Sequence, residues 1–247
     1  MTDDPQPHPI EGPEPKPRTL GVFDETFLTD APEVTEVLLI RHGQQLLPDL
    51  DKATTGDWID PPLSEHGRAQ ARLLAAGLST VRIDHIFCSP LRRARETAQP
   101  VAEMHRMDVE IVNDLREVEI FRDLPPDQTA REAVGDDLLR AVRGRMLTER
   151  SWDVYPFSES SFDFCKRSIN AIEAAIARNA GERIAIVCHG GVINAYMGHI
   201  IGSRYDMFFR PAHTAINVAV AGGDRRIPRS LNDVHHLTTP EGDFLTY

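Results

Sequence analysis

The chain has 247 residues, 41% of them hydrophobic, enough for one large domain or two small ones and too much for a short disordered regulator. With 27 Lys and Arg against 38 Asp and Glu, the net charge of −11 has the wrong sign for a general nucleic-acid or anionic-membrane binder, so an anionic substrate has to be captured by a local cluster of cations. Cys88, Cys165 and Cys188 fit neither a zinc cluster nor a CxxC pair, no apolar run approaches the roughly 20 residues of a membrane span, and the start lacks a signal-peptide pattern, so a cytoplasmic protein is expected.

Residues 1–33 carry Pro5, Pro7, Pro9, Pro13, Pro15, Pro17 and Pro32, many acids and few large apolar groups, a composition that predicts a flexible arm. Residues 34–247 then read as one catalytic domain. Val37-Leu-Leu-Ile40 is a short apolar run ending at Arg41-His42-Gly43, as a buried strand should. Ser64 is a cap for the next helix, whose Ala69, Leu73 and Ala76 are expected to face a sheet. Residues 82–88 return as a strand, Ser89-Pro90 breaks it, and Leu91 to about His105 reads as helix.

A short strand near Val109–Val112 precedes Pro125-Pro126 and a segment whose Val134, Leu138, Val142 and Met146 recur every four residues, predicting an amphipathic helix. Phe162, Cys165, Ile169, Ile172 and Ile176 predict a second, with one buried stripe. Gly181 ends it, Ile184–Cys188 is a buried strand running into His189-Gly190-Gly191, and a further helix follows to about Ile201. This alternation predicts a three-layer α/β fold, a mainly parallel central sheet with helices on both faces.

Two strands thus end in histidine followed by glycine, at His42-Gly43 and His189-Gly190. Ligands of α/β sheets bind beyond the carboxyl ends of strands, and glycine lets backbone approach closely there. Arg41 precedes the first histidine, and Arg93 lies near a helix start after the third strand end. Guanidinium forks and free helix N–H groups make an anion pocket.

These residues carry a resemblance to the histidine phosphatase superfamily, the phosphoglycerate mutase-like fold. Its pieces stand in family order over roughly residues 36–237: LLIRHGQ at 38–44, PPLSEHGRAQA at 61–71, CSPLRRARETA at 88–98, LREVE at 115–119 and VCHGGVI at 187–193. Leu231–Leu237 also resembles a closing strand of many members. The resemblance implies that His42 is the nucleophile and His189 its partner on the transferring oxygens, with Arg41, Arg93 and Gly190 binding phosphate. It implies Glu117 as the general acid. Phe121, four positions beyond it, departs from the glycine of many members, and Glu119 stands as the alternative. Gln45 and Pro48 replace residues that many members, and mutases above all, share, which turns the expectation toward a phosphatase.

The activity expected is hydrolysis of a small phosphomonoester through phosphohistidine, with no cofactor and no metal, since the sequence has no HExxH or paired-aspartate motif and His235-His236 reads as a strand end. Residues 122–160 are expected to cover the site. A cofactor-dependent phosphoglycerate mutase and a non-catalytic phosphate-binding or scaffold protein are the rival readings. Neither nucleic acid nor membrane is an expected partner, and nothing in the chain excludes an oligomer.

Overall fold

Alternate side chains of the strand Thr35–Arg41 (β1) enter two different cores, which is what a strand covered on both faces requires. Val37 and Leu39 pack with Ile172, Ile176, Val192 and Tyr196, whereas Leu38 and Ile40 pack with Leu74, Leu78, Ala98 and Val101. The first group comes from helices Ser161–Arg178 (α5) and Gly190–Ile201 (α6), the second from Glu65–Leu78 (α2) and Arg92–His105 (α3). The computed structural model that shows this describes residues 21–247 apart from 30, 32, 50, 51, 121 and 241.

Among the described residues the main sheet has six strands. His85–Cys88 (β2), Val109–Ile111 (β3) and Arg183–Cys188 (β4) join β1 in parallel, in the spatial order β3-β2-β4-β1. Ile216–Gly222 (β5) is antiparallel to β1, and Arg225–Asp233 (β6) is antiparallel to β5 at the edge. The expected three layers and mostly parallel sheet are present, but the closing hairpin of β5 and β6 breaks the strand–helix alternation. Residues 231–237 are correspondingly the end of β6 and a single helical turn at His235–Leu237, not one strand. Pro228 is tolerated in β6 because an edge strand leaves half its N–H groups unpaired.

The helices differ from expectation by small rotations. Ser64 caps α2 as read, its Oγ accepting from the Gly67 N–H at 3.0 Å. The buried face of α2 is Gly67, Gln70, Ala71, Leu74, Ala75 and Leu78, one position round from Ala69, Leu73 and Ala76. In α5 the stripe is Phe164, Ser168, Ile172, Ala175 and Ile176, while Phe162 is 72% exposed. Helix Ala130–Glu149 (α4) forms over the expected segment but breaks at Gly135 (φ 78°) and buries only Val142.

Part of the expected arm, residues 1–33, has regular structure. Residues 22–27 form a short helix, Val22–Phe27 (α1), and Leu28 is buried against Gly222. Arg225 ties α1 down by donating to the Glu25 carbonyl at 2.7 Å. The first 20 residues of the expected arm lie outside the described residues. Among the described residues, no helix is long and apolar enough to cross a membrane.

Candidate active site

Because β2, β4 and β1 are neighbours with aligned carboxyl ends, the residues that follow them emerge side by side. The ladder runs one step past β1, with the His42 N–H donating to the Cys188 carbonyl at 2.9 Å. Gly43 then lets the first turn of α2 nest against the loop: a Cβ there would meet the Gly67 carbonyl oxygen at 2.7 Å. The Gly43 N–H donates to Oγ1 of Thr97, which itself donates to the Arg93 carbonyl, locking the loop to α3.

His42 is buried, and its Nδ1 lies 2.7 Å from the Gly43 carbonyl oxygen. A carbonyl can only accept, so Nδ1 carries the proton and Nε2 the lone pair. Burial first, then His189, Arg93 and Arg41, hold the ring well below the usual histidine range, so it is neutral.

His189 ends β4 and is the N-terminal cap of α6, with its ring centroid 5.1 Å from that of His42. Its Nε2 is 2.7 Å from Oγ of Ser89, an oxygen that already accepts from the Leu91 N–H. The Ser89 hydroxyl has its own proton available for Nε2, and with Ser89 donating there the ring proton is on Nδ1. Burial and the charges of Arg93, Arg41 and Arg167 depress this ring too.

Arg93, one residue into α3, is almost fully buried; its Nη1 donates to the Ile59 carbonyl at 3.3 Å. Arg41 donates from Nη1 to the Pro211 carbonyl at 2.5 Å. Burial lowers Arg41 to about 10, against the opposing pull of Glu117, so it remains a cation at neutral pH. Among the described residues, Nε of Arg41, Nε of Arg93 and Nδ1 of His189 are buried nitrogens with no protein acceptor. Buried donors are nearly always paired, so three from separate segments around one imidazole mark a place built for an anion's oxygens. Gly190, the first residue of α6, sits against them: a Cβ there would stand 3.7 Å from Nε of Arg41.

Glu117 reaches this group and Glu119 does not. Oε2 of Glu117 accepts from the Gly191 N–H at 3.1 Å and Oε1 from the Val118 N–H at 3.0 Å, and its charge acts on both Arg41 and Arg93. Glu119 pairs outward with Arg116 and Arg122. Phe121 lies outside the described residues. Gln45 bridges to Leu63, and Pro48 lines a cavity of about 700 Å³ that adjoins the site at Ile59 and Asp60.

Several neighbours were not read from the sequence. Gly191 is fixed by contact, since a Cβ there would fall 2.2 Å from Oε1 of Glu117; the HGG run was the available signal. Arg167 grips the segment carrying Glu117, donating to the carbonyls of Asp114, Arg116 and Glu117 and pairing twice with the buried carboxylate of Glu159. His213 brings a third imidazole, its centroid 5.8 Å from that of His42. No motif announced these three. His236 lies behind the loop, 3.0 Å from Oγ1 of Thr214, whose N–H donates to the Arg41 carbonyl.

Known proteins resemble this chain in sequence and in fold. The model of the histidine phosphatase superfamily (branch 1) matches residues 37–234. A Schizosaccharomyces pombe protein named as a probable phosphatase is 32% identical over 172 residues, 68% of this chain and 75% of its own. The metal-independent phosphoserine phosphatase of Arabidopsis thaliana is 28% identical over 210 residues, 84% of this chain and 85% of its own. Proteins named as mutases or mutase-like are among the relatives as well. The solved structure of Bacillus stearothermophilus YhfR superposes with a TM-score of 0.68 at 25% identity, covering 82% of this chain and 98% of that one.

Proposed function

This chain is a member of the histidine phosphatase superfamily, and from that premise we propose that it hydrolyses a small phosphomonoester through a phosphohistidine on Nε2 of His42. The observation that carries the reading is the set of three buried, acceptorless nitrogens on Arg41, Arg93 and His189 around a neutral ring whose free lone pair is on Nε2.

In the first step the Nε2 lone pair forms a bond to phosphorus as the bond from phosphorus to the ester oxygen breaks. The ring becomes cationic, and its Nδ1–H bond to the Gly43 carbonyl strengthens with that charge. Arg41, Arg93, His189 and the amino end of α6 donate to the phosphoryl oxygens. Glu117, as a carboxylic acid, gives its proton to the leaving alkoxide, which departs as an alcohol. In the second step the Glu117 carboxylate takes a proton from water, the water oxygen bonds to phosphorus, and the phosphorus–nitrogen bond breaks. Inorganic phosphate leaves, and His42 and the protonated Glu117 are restored.

No metal enters this sequence of steps. Arg41 and Arg93 supply the positive charge, and among the described residues no three His, Cys, Asp or Glu side chains gather as a metal site.

The test is a panel of phosphomonoesters, beginning with phosphoserine, assayed with wild type and His42→Ala, together with acid quenching to look for an acid-labile, alkali-stable phosphoryl label. Turnover and label are both expected to vanish in His42→Ala and to survive chelation of divalent cations. Loss of either arginine is expected to cost about 100-fold in kcat. Hydrolysis by His42→Ala at the wild-type rate would overturn the mechanism. Isomerisation of a phosphoglycerate primed by bisphosphoglycerate would replace the phosphatase reading with a mutase one.

A further inference from the structure

We propose that His213 is a third imidazole of the reaction centre, donating from Nε2–H to an oxygen of the bound phosphoryl group, and that the C-terminal segment Phe244–Thr246 holds it in that tautomer. This rests on the phosphatase reading above and extends it to a residue outside the motifs.

His213 lies in the stretch leading into β5. That strand is antiparallel to β1, so its beginning, not its end, arrives at the edge of the sheet where the site is built. The stretch is fastened there by the Arg41 N–H donating to the Ala215 carbonyl and by Nη1 of Arg41 donating to the Pro211 carbonyl. The ring is 5% exposed and inclined at 51° to His42.

A chain of hydrogen bonds decides which nitrogen bears its proton. The N–H of Gln44, next to the His42 loop, donates to Oε1 of Gln70 at 2.9 Å, which fixes the orientation of that amide. Its Nε2 then donates to the Phe244 carbonyl at 2.7 Å and to Oγ1 of Thr246 at 2.8 Å. Oγ1 of Thr246 thus already accepts one bond, and in the proposed arrangement its own proton goes to Nδ1 of His213, 2.8 Å away. The backbone repeats the attachment, the His213 N–H donating to the Thr246 carbonyl at 2.9 Å. With Nδ1 accepting, the ring proton sits on Nε2.

Burial, Arg41 and Arg210 push His213 down to about 3, so it donates as a neutral ring and adds no cation beside the nucleophile. Arginine at this position would bring a third guanidinium against Arg41 and Arg93. An imidazole supplies a donor without that repulsion.

The test compares wild type, His213→Ala, His213→Gln and Thr246→Val by calorimetric binding of inorganic phosphate and by kcat/KM for p-nitrophenyl phosphate. Nitrogen-15 shifts of the His213 ring are recorded in wild type and Thr246→Val. Removing the donor is expected to weaken phosphate binding and to lower kcat/KM, each roughly 10-fold or more. Gln, whose amide nitrogen reaches as far as Nε2, restores most of both. Thr246→Val is expected to spread the proton over both ring nitrogens. The inference is overturned if His213→Ala matches wild type in binding and turnover, if Gln is as damaged as Ala, or if the wild-type ring carries its proton on Nδ1. Should the Ala variant fail to fold, Thr246→Val and the wild-type ring shifts still decide. A wild-type protein that neither binds phosphate nor hydrolyses any ester rejects the phosphatase reading, and this one with it. An active wild type with unaffected variants rejects only the role of His213.

Discussion

At position 191 the absence of a side chain is what lets the amino end of α6 hold Glu117. A Cβ there would stand 2.2 Å from Oε1 of Glu117 and 3.0 Å from the ring of Phe164, so Gly191→Ala has to push the carboxyl group off its two backbone donors. Burial of His42 and the packing of β4 do not depend on that atom. We therefore expect Gly191→Ala to fold, to retain phosphate binding, and to lose about 100-fold in kcat on alkyl phosphates. The loss should nearly disappear with p-nitrophenyl phosphate, whose leaving group needs little proton donation. Equal losses on both esters would mean that Glu117 is not the proton donor. The two histidine–glycine pairs and Arg41 were legible as residues because strand ends are recognisable locally. Choosing Glu117 over Glu119 was a matter of two positions in an irregular segment, and only the direction of each side chain separates them.

At the scale of elements, the segment from Asn113 to Glu119 has little regular structure of its own beyond one helical turn, Asn113–Leu115. Its shape is imposed by α5, from which Arg167 donates to three of its carbonyls while its charge is matched by Glu159, 5% exposed. Arg167→Met removes those bonds and strands a buried carboxylate, a change that costs about 3–5 kcal/mol of stability in comparable buried pairs. Beyond the stability loss, the ratio of kcat/KM for an alkyl phosphate to that for p-nitrophenyl phosphate should fall about 10-fold. That ratio is independent of the folded fraction. An unchanged ratio with lowered stability would reduce Arg167 to a structural tie. Such a clamp is invisible in the sequence, because Arg167 lies 50 positions from Glu117 and on a helix whose apolar periodicity alone gives no hint of what its polar face grips. Periodicity placed α2, α3 and α5 along the chain and found Ile172 and Ile176 of the buried stripe of α5, yet it placed the buried face of α2 one residue away from the one the sheet selects and took Phe162 for a buried residue.

At the scale of the whole molecule, four histidines among the described residues are buried in neutral form. His213 is lowered to about 3 and His236 to about 4, both chiefly by burial, and burial holds His42 and His189 well below the ordinary range as well. An unfolded chain takes up protons on these rings near the ordinary value of 6.5, whereas the folded chain does not. Folding is thus favoured in full above about pH 6.5, and that contribution is lost as pH falls toward the folded values. Each such ring contributes a slope of about 1.4 kcal/mol per pH unit within its window. Urea midpoints measured at pH 7, 6 and 5 should fall steadily, and a midpoint flat across that range would show that the rings are not held neutral. His213→Gln should make the fall shallower.

The sequence by itself determined the layers, the order of the parallel strands' motifs and the two histidine–glycine strand ends, because each is written in contiguous residues: an apolar run, a breaker, a helix start. Its acidic balance also led to the expectation that an anionic substrate is held by a local cluster of arginines. The tertiary structure alone decided that the last two strands form an antiparallel hairpin, and with it that His213 enters from the start of β5. It likewise decided that Thr246 and Gln70 stand beside that ring and that Arg167 shapes the loop of Glu117. The physical reason is the same in each case: these contacts join residues far apart in the chain, and their partners are chosen by which edge of the sheet an element reaches, not by any pattern within the element.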